Sequence, residues 1–173
     1  MIKKLFSMAI IASAWTGSSL AVLESSDFTF NDSAKTRIVA NGNTVSITQG
    51  DEKLSFAIGT GKVFANNGES VEEFQGLATD GNPARSWAIA FFDPGAVSPL
   101  HQHKIGIEDY FIFQGKGTVR RGDEILDVSP GTYVNIPTHA PHTVTNSKDN
   151  GQLILAVKCA PSWVFDDFHV ITE

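Results

Sequence analysis

The chain has 173 residues with 42% hydrophobic and 18% charged residues, 15 Gly and 7 Pro, a length and mix that suit one turn-rich globular domain and exclude a fibrous or low-complexity chain. Its formal net charge is −6, and removing residues 1–21 takes two lysines and leaves 11 basic and 19 acidic residues, a net of −8, which argues against a nucleic-acid partner. Cys159 is the only cysteine, so no disulfide can form within the chain. It ends the apolar run 153–159 and reads as a buried structural thiol.

The first residues have the pattern of a secretory leader. Lys3 and Lys4 form a positive start, an apolar stretch runs over 5–15, and Ser19-Leu20-Ala21 offers a small-x-Ala cleavage site. The apolar stretch is well short of the ~20 residues of a spanning helix. The expectation is a signal peptide at 1–21 and a secreted or periplasmic protein that does not associate with membrane after cleavage. Residues 22–34 are polar and read as a loose arm.

From residue 36 onward the apolar residues come in short runs broken by Gly, Asn, Asp and Pro, which predicts strands. Asn41-Gly42, Gly50-Asp51 and Gly122-Asp123 suit tight hairpin turns, because these residues tolerate positive φ. Further strands are predicted over 44–49, 54–59, 86–92, 110–114, 117–120, 132–136, 142–146 and 152–159. Ser70 and Glu73 have capping-box spacing and predict a helix over 70–77. The chain is all-β, and so many short strands make a sandwich or barrel. The strands of 36–65 either extend that barrel or pair across a dimer.

The chemistry concentrates in one region. On a strand, His101 and His103 point to the same face, so both imidazoles can converge on one point inside a barrel. Glu108 opens the next run with the inward parity shared by Tyr110, Ile112 and Gln114. His142 opens a later strand after the stiff segment 137–141 and can supply a third imidazole. Buried together without a partner, three imidazoles and a carboxylate would be costly, and a divalent ion satisfies all four.

The spacing is specific. Gly95, five residues, His101-x-His103, four residues, Glu108, six residues, Gly115 resembles the first cupin motif, and Gly131, five residues, Pro137, four residues, His142, three residues, Asn146 resembles the second. The likeness spans about 86–171 and departs at His139, where the family usually has Gly. It implies a double-stranded β-helix, the cupin or jelly-roll barrel, with N-terminal extra strands: 22–78 as arm and extra strands packed on the barrel, 79–173 as the barrel.

The resemblance also implies one divalent transition metal held by His101, His103, Glu108 and His142, with Fe or Mn favoured over Zn, Cu or Ni. The expected activity is dioxygenase-type oxidation of a small organic substrate, with Glu108, Tyr110 and His139 as catalytic residues. Non-oxidative isomerase, decarboxylase or lyase chemistry is the alternative, as is a non-catalytic metal- or sugar-acid-binding barrel. A homodimer is expected. Asn146, at a strand end, reads as a turn-forming or hydrogen-bonding residue. Trp163, Phe165 and Phe168 read as core or pocket wall, and His169 as structural.

Overall fold

A computed structural model describes residues 23–172, so the expected leader at 1–21 lies outside the described residues. Strands β1 (Leu23–Thr29), β2 (Arg37–Gly42), β3 (Thr44–Gln49) and β4 (Glu52–Ala57) form an antiparallel four-stranded sheet in chain order. The hairpins close where the turn residues stand: Asn41 pairs Thr44 around Gly42-Asn43, and Gln49 pairs Glu52 around Gly50-Asp51. Residues 23–29 are not a loose arm. Their apolar members are few, but Phe28 and Phe30 anchor the segment beside Phe111, and β1 pairs with β2 from Thr29 to Leu23.

Two further sheets face each other. One takes β5 (Lys62–Asn66), β6 (Glu69–Gln75), β7 (Ser86–Phe92), β9 (Ile107–Gln114), β12 (Tyr133–Ile136) and β14 (Leu153–Ala160), in the order β12-β9-β14-β7-β6-β5. The other takes β8 (His101–His103), β10 (Gly117–Arg121), β11 (Glu124–Val128), β13 (His142–Thr145) and β15 (Phe168–Val170), in the order β11-β10-β13-β8-β15. The six-stranded sheet already includes β5 and β6, so the barrel starts before residue 79.

The helix expected over 70–77 is strand β6. The Ser70 and Glu73 capping signal is local, whereas β6 is paired along both edges, with β5 from Glu69 to Glu73 and with β7 from Glu69 to Gln75. Long-range pairing overrides so short a propensity signal. Alternation then sorts the side chains. Val71 packs against the barrel interior, and the buried Glu72 turns the other way, accepting backbone N–H bonds from Gly59 and Gly61 at 2.6–3.0 Å.

The six-stranded sheet is buried on both faces. Phe92, Tyr110, Ile112 and Leu155 pack into the barrel with Val119 and Val144. Trp87, Phe91, Phe111, Phe113 and Ile154 point outward against Ile38, Val45, Ile47 and Phe30 of the four-stranded sheet and its loops. Every residue of β7 is buried for this reason, in a continuous apolar run instead of an alternating one.

Candidate metal centre

β8 and β13 are neighbours in the five-stranded sheet, and His101 and His142 are direct partners. His103 stands two residues along β8 on the same face. Glu108 comes from β9 in the opposing sheet, so the cluster bridges the two sheets. All four side chains are buried, and their ligand atoms lie within 4.8 Å of one another.

The hydrogen bonds behind the imidazoles fix which nitrogen faces the cluster. His101 Nδ1 bonds the Pro99 carbonyl at 2.8 Å, and His142 Nδ1 bonds the Ala140 carbonyl at 2.8 Å. A carbonyl only accepts, so each Nδ1 carries a proton and each neutral ring keeps its Nε2 lone pair free. This is the tautomer that metal-ligating histidines need.

The donors are placed against one another in a way that a cation resolves. His142 Nε2 lies 3.1 Å from Glu108 Oε2, and His103 Nε2 lies 3.4 Å from Glu108 Oε1. In the neutral tautomer the first contact sets a nitrogen lone pair against a carboxylate oxygen. Among the described residues both His103 nitrogens are buried without a hydrogen-bond partner. Lone pairs converging in a dry interior suit a divalent ion, and three imidazoles with one carboxylate form a borderline donor set that fits a first-row transition metal.

Electrostatics agree with that reading. Burial pushes Glu108 up, yet the flanking His103 and His142 outweigh it and hold the carboxyl well below its usual range. Burial and the neighbouring His142 push His101 down to about 3, so this imidazole stays neutral. His103 moves up: burial opposes its charge, but Glu108 on one side and Asp167 on the other prevail.

Asp167 is a residue the sequence did not reveal. It lies in a short 3-10 turn (Phe165–Asp167), where its carboxylate accepts N–H bonds from Lys104, Ile105 and Gly106 at 2.8–3.0 Å. Its Oδ2 is 3.4 Å from His103 Nδ1. Asp167 therefore shapes the loop after β8 and backs the His103 ring. Gly106 leaves room for this, since a Cβ there would meet Cys159 Sγ at 3.0 Å and Asp167 Oδ2 at 3.1 Å.

Tyr110 is buried, and its hydroxyl donates to Glu108 Oε2 at 2.7 Å. Burial and Glu108 raise its pKa well above the usual value, which keeps the hydroxyl a donor. His139 sits apart from the cluster. Its ring is exposed, its φ is +64°, and its backbone N–H donates to the His103 carbonyl at 2.6 Å. The left-handed φ accounts for the glycine that the second motif usually carries there. Asn146 is buried, and its amide donates to the Phe92 and Gly151 carbonyls at 2.9 Å, closing the end of β13.

Two small cavities adjoin the cluster. One, of about 50 Å³, lies among Phe64, Asn66, Glu69, Ser98, Pro99, His101 and Phe168. The other, of about 80 Å³, touches Glu108 and Cys159 and is walled by Phe64, Val71, Glu73 and Trp163. Phe168 stacks on His101 with centroids 4.3 Å apart, whereas Phe165 is exposed. Glu69 was also missed by the sequence reading. Burial, and then the charge of Glu108, push it up to about 7. Read as a strand, residues 69, 71 and 73 would have shown the period of two that sends all three toward the site.

Residues 88–157 match the family model described as a cupin domain. The uncharacterised protein MJ1618 of Methanocaldococcus jannaschii is 28% identical over 89 residues, covering 50% of this chain and 69% of that protein. Among solved structures, Rru_A2000 of Rhodospirillum rubrum, a cupin-2 domain, superposes with a TM-score of 0.53 at 21% identity, covering 62% of this chain and 68% of that one. The Streptomyces nucleoside dehydratase PAC13 superposes with a TM-score of 0.57 at 12% identity, covering 69% of this chain and 92% of that one. At these identities the structural likeness is one of fold. Motif spacing, a two-sheet barrel and the family match converge on a cupin domain at residues 88–157 of this chain.

Proposed function

We propose that this cupin is an exported, metal-dependent enzyme acting on a small organic molecule by dioxygenase-type oxidation. One observation carries the enzymatic reading: the cavities reach the donor cluster itself, touching His101 on one side and Glu108 on the other. Closed coordination marks structural metal sites, and an approachable one marks catalytic sites. An ion of five or six ligands held by four side chains keeps a position for substrate or O₂, which it would polarise or activate.

The chain supplies orientation and proton handling. Tyr110 holds Glu108 by its hydroxyl and remains protonated, so it can turn that one proton from Glu108 to a bound oxygen atom. His139, exposed on the loop bonded to His103, is the group we assign to exchanging a proton with solvent. In a dioxygenation both atoms of O₂ enter the organic product, so no outside reductant is needed.

A second reading, non-oxidative isomerisation or elimination, draws support from Glu69. A carboxyl with a pKa near 7 beside the chamber is an acid–base group that needs no O₂. The fold accommodates such chemistry, as PAC13 does for its own substrate. The experiment is O₂ uptake and product formation by the mature protein loaded with Fe or Mn, on a panel of small hydroxycarbonyl compounds, against His101→Ala. Uptake matched by product supports oxidation, product without uptake supports the second reading, and no turnover with stoichiometric metal contradicts both. Export is checked separately, by the N-terminal sequence of protein recovered from the periplasm or medium.

A further inference from the structure

The barrel chamber has a charge pattern that the metal donors alone do not explain. Strand β6 sends Glu69 and Glu73 to the same face as Val71, and with Glu108 from β9 they place three carboxyls around the two cavities. Among the described residues no lysine or arginine lines either cavity. The nearby cation is Lys62, which pairs across from Glu73 in β5 and has its Nζ 5.7 Å from the Phe64 ring centroid. Glu73 also accepts a bond from the Thr79 hydroxyl at 2.6 Å.

Glu69 differs from Glu73. Among the described residues no hydrogen bond or ion pair reaches its carboxylate, which is half-buried at the cavity wall. A partly desolvated carboxyl without a partner carries a cost that packing does not offset. The cavity it lines is completed by Asn66, Ser98, Pro99, His101 and the rings of Phe64 and Phe168. A group left unsatisfied at the wall of a chamber is available to whatever enters.

We propose that Glu69 selects the substrate: the chamber takes a compact uncharged or cationic molecule and rejects anions. This rests on the reading of the cluster as a metal centre with an open position. Compactness follows from size, since each cavity is smaller than the ~150 Å³ that holds benzene in an engineered core. The aromatic walls offer flat apolar contact, and the carboxyls repel a carboxylate or other anion that the metal would otherwise attract. Sugar acids therefore fall outside the substrate class.

The test uses Co(II)-loaded protein at pH 8, with azide as the anionic probe and imidazole as the neutral one, each followed by the visible Co(II) spectrum. Glu69→Gln keeps the shape and removes the charge. Azide should bind at least tenfold more tightly to Glu69→Gln than to wild type, while imidazole affinity stays within twofold. Glu69→Ala should show the same azide gain, which guards against a folding artefact in either variant. Azide affinity unchanged in both variants, or imidazole moving in parallel with azide, overturns the selection role. Failure of the wild type to bind Co(II) overturns the metal reading beneath it, and the two failures are thereby distinct.

Discussion

His103 differs from the other two imidazoles in having a carboxylate on each side, Glu108 beyond Nε2 and Asp167 beyond Nδ1. Outer carboxylates of this kind orient a metal-binding histidine and raise its basicity. Asp167→Asn should therefore weaken metal binding by about 10- to 100-fold in a chelator competition. Unchanged affinity would confine Asp167 to holding the backbone of 104–106. The raised pKa of His103 also sets the sign of a pH effect. In the metal-free protein this ring keeps its proton to higher pH than an ordinary histidine, and the ion must displace it, so affinity rises with pH through and above about 6.5. His101, neutral down to about 3, contributes nothing in that window. Calorimetry in buffers of different ionisation enthalpy should show proton release that grows as pH falls from 8 to 6. The four donors were legible in the sequence because strand parity and motif spacing both act over a few residues. Asp167 was not, since it lies more than sixty residues from the loop it binds, with no spacing to announce it.

Strand β6 shows where reading from local signals fails. Ser70 and Glu73 carry a capping pattern, but the strand is held by partners on both sides, and only that pairing reveals that Glu69, Val71 and Glu73 share the chamber face. The turns were easier, because their requirement is local. Gly115 ends β9 with φ +78°, and a Cβ there would lie 2.4 Å from the Gln152 carbonyl oxygen and 2.8 Å from Leu153 Cα. Backbone atoms cannot step aside as a flexible side chain can. Gly115→Ala should cost roughly 2 kcal/mol or more, read as a lowered urea midpoint at unchanged slope. A midpoint within error of wild type would show that the β9–β10 connection can shift, and that the motif glycine is not required for packing.

The whole molecule is a three-layer stack in which the six-stranded sheet is shared by two cores. Composition and strand count pointed to a barrel, but the separate N-terminal sheet could not be read from one sequence, because its apolar alternation would serve equally to lengthen the barrel or to pair with a second copy. Phe111 is the residue to test, fully buried between Phe30, Trp87 and Tyr133. Phe111→Ala should destabilise the protein by about 3–5 kcal/mol in equilibrium unfolding while leaving metal content intact, since it faces away from the cluster. Loss of metal at full folding would mean that the outer core positions the inner site. A metal held by these four residues would bridge both barrel sheets, and binding to the folded state alone should raise the thermal midpoint with metal concentration. The most direct test of the account is elemental analysis of the purified protein after reconstitution with Fe, Mn, Zn, Cu or Ni. The structure predicts one divalent ion per chain for at least one of these metals, and none above background in the folded His101→Ala/His103→Ala variant. Equal metal in the two proteins, or none in either, would contradict it.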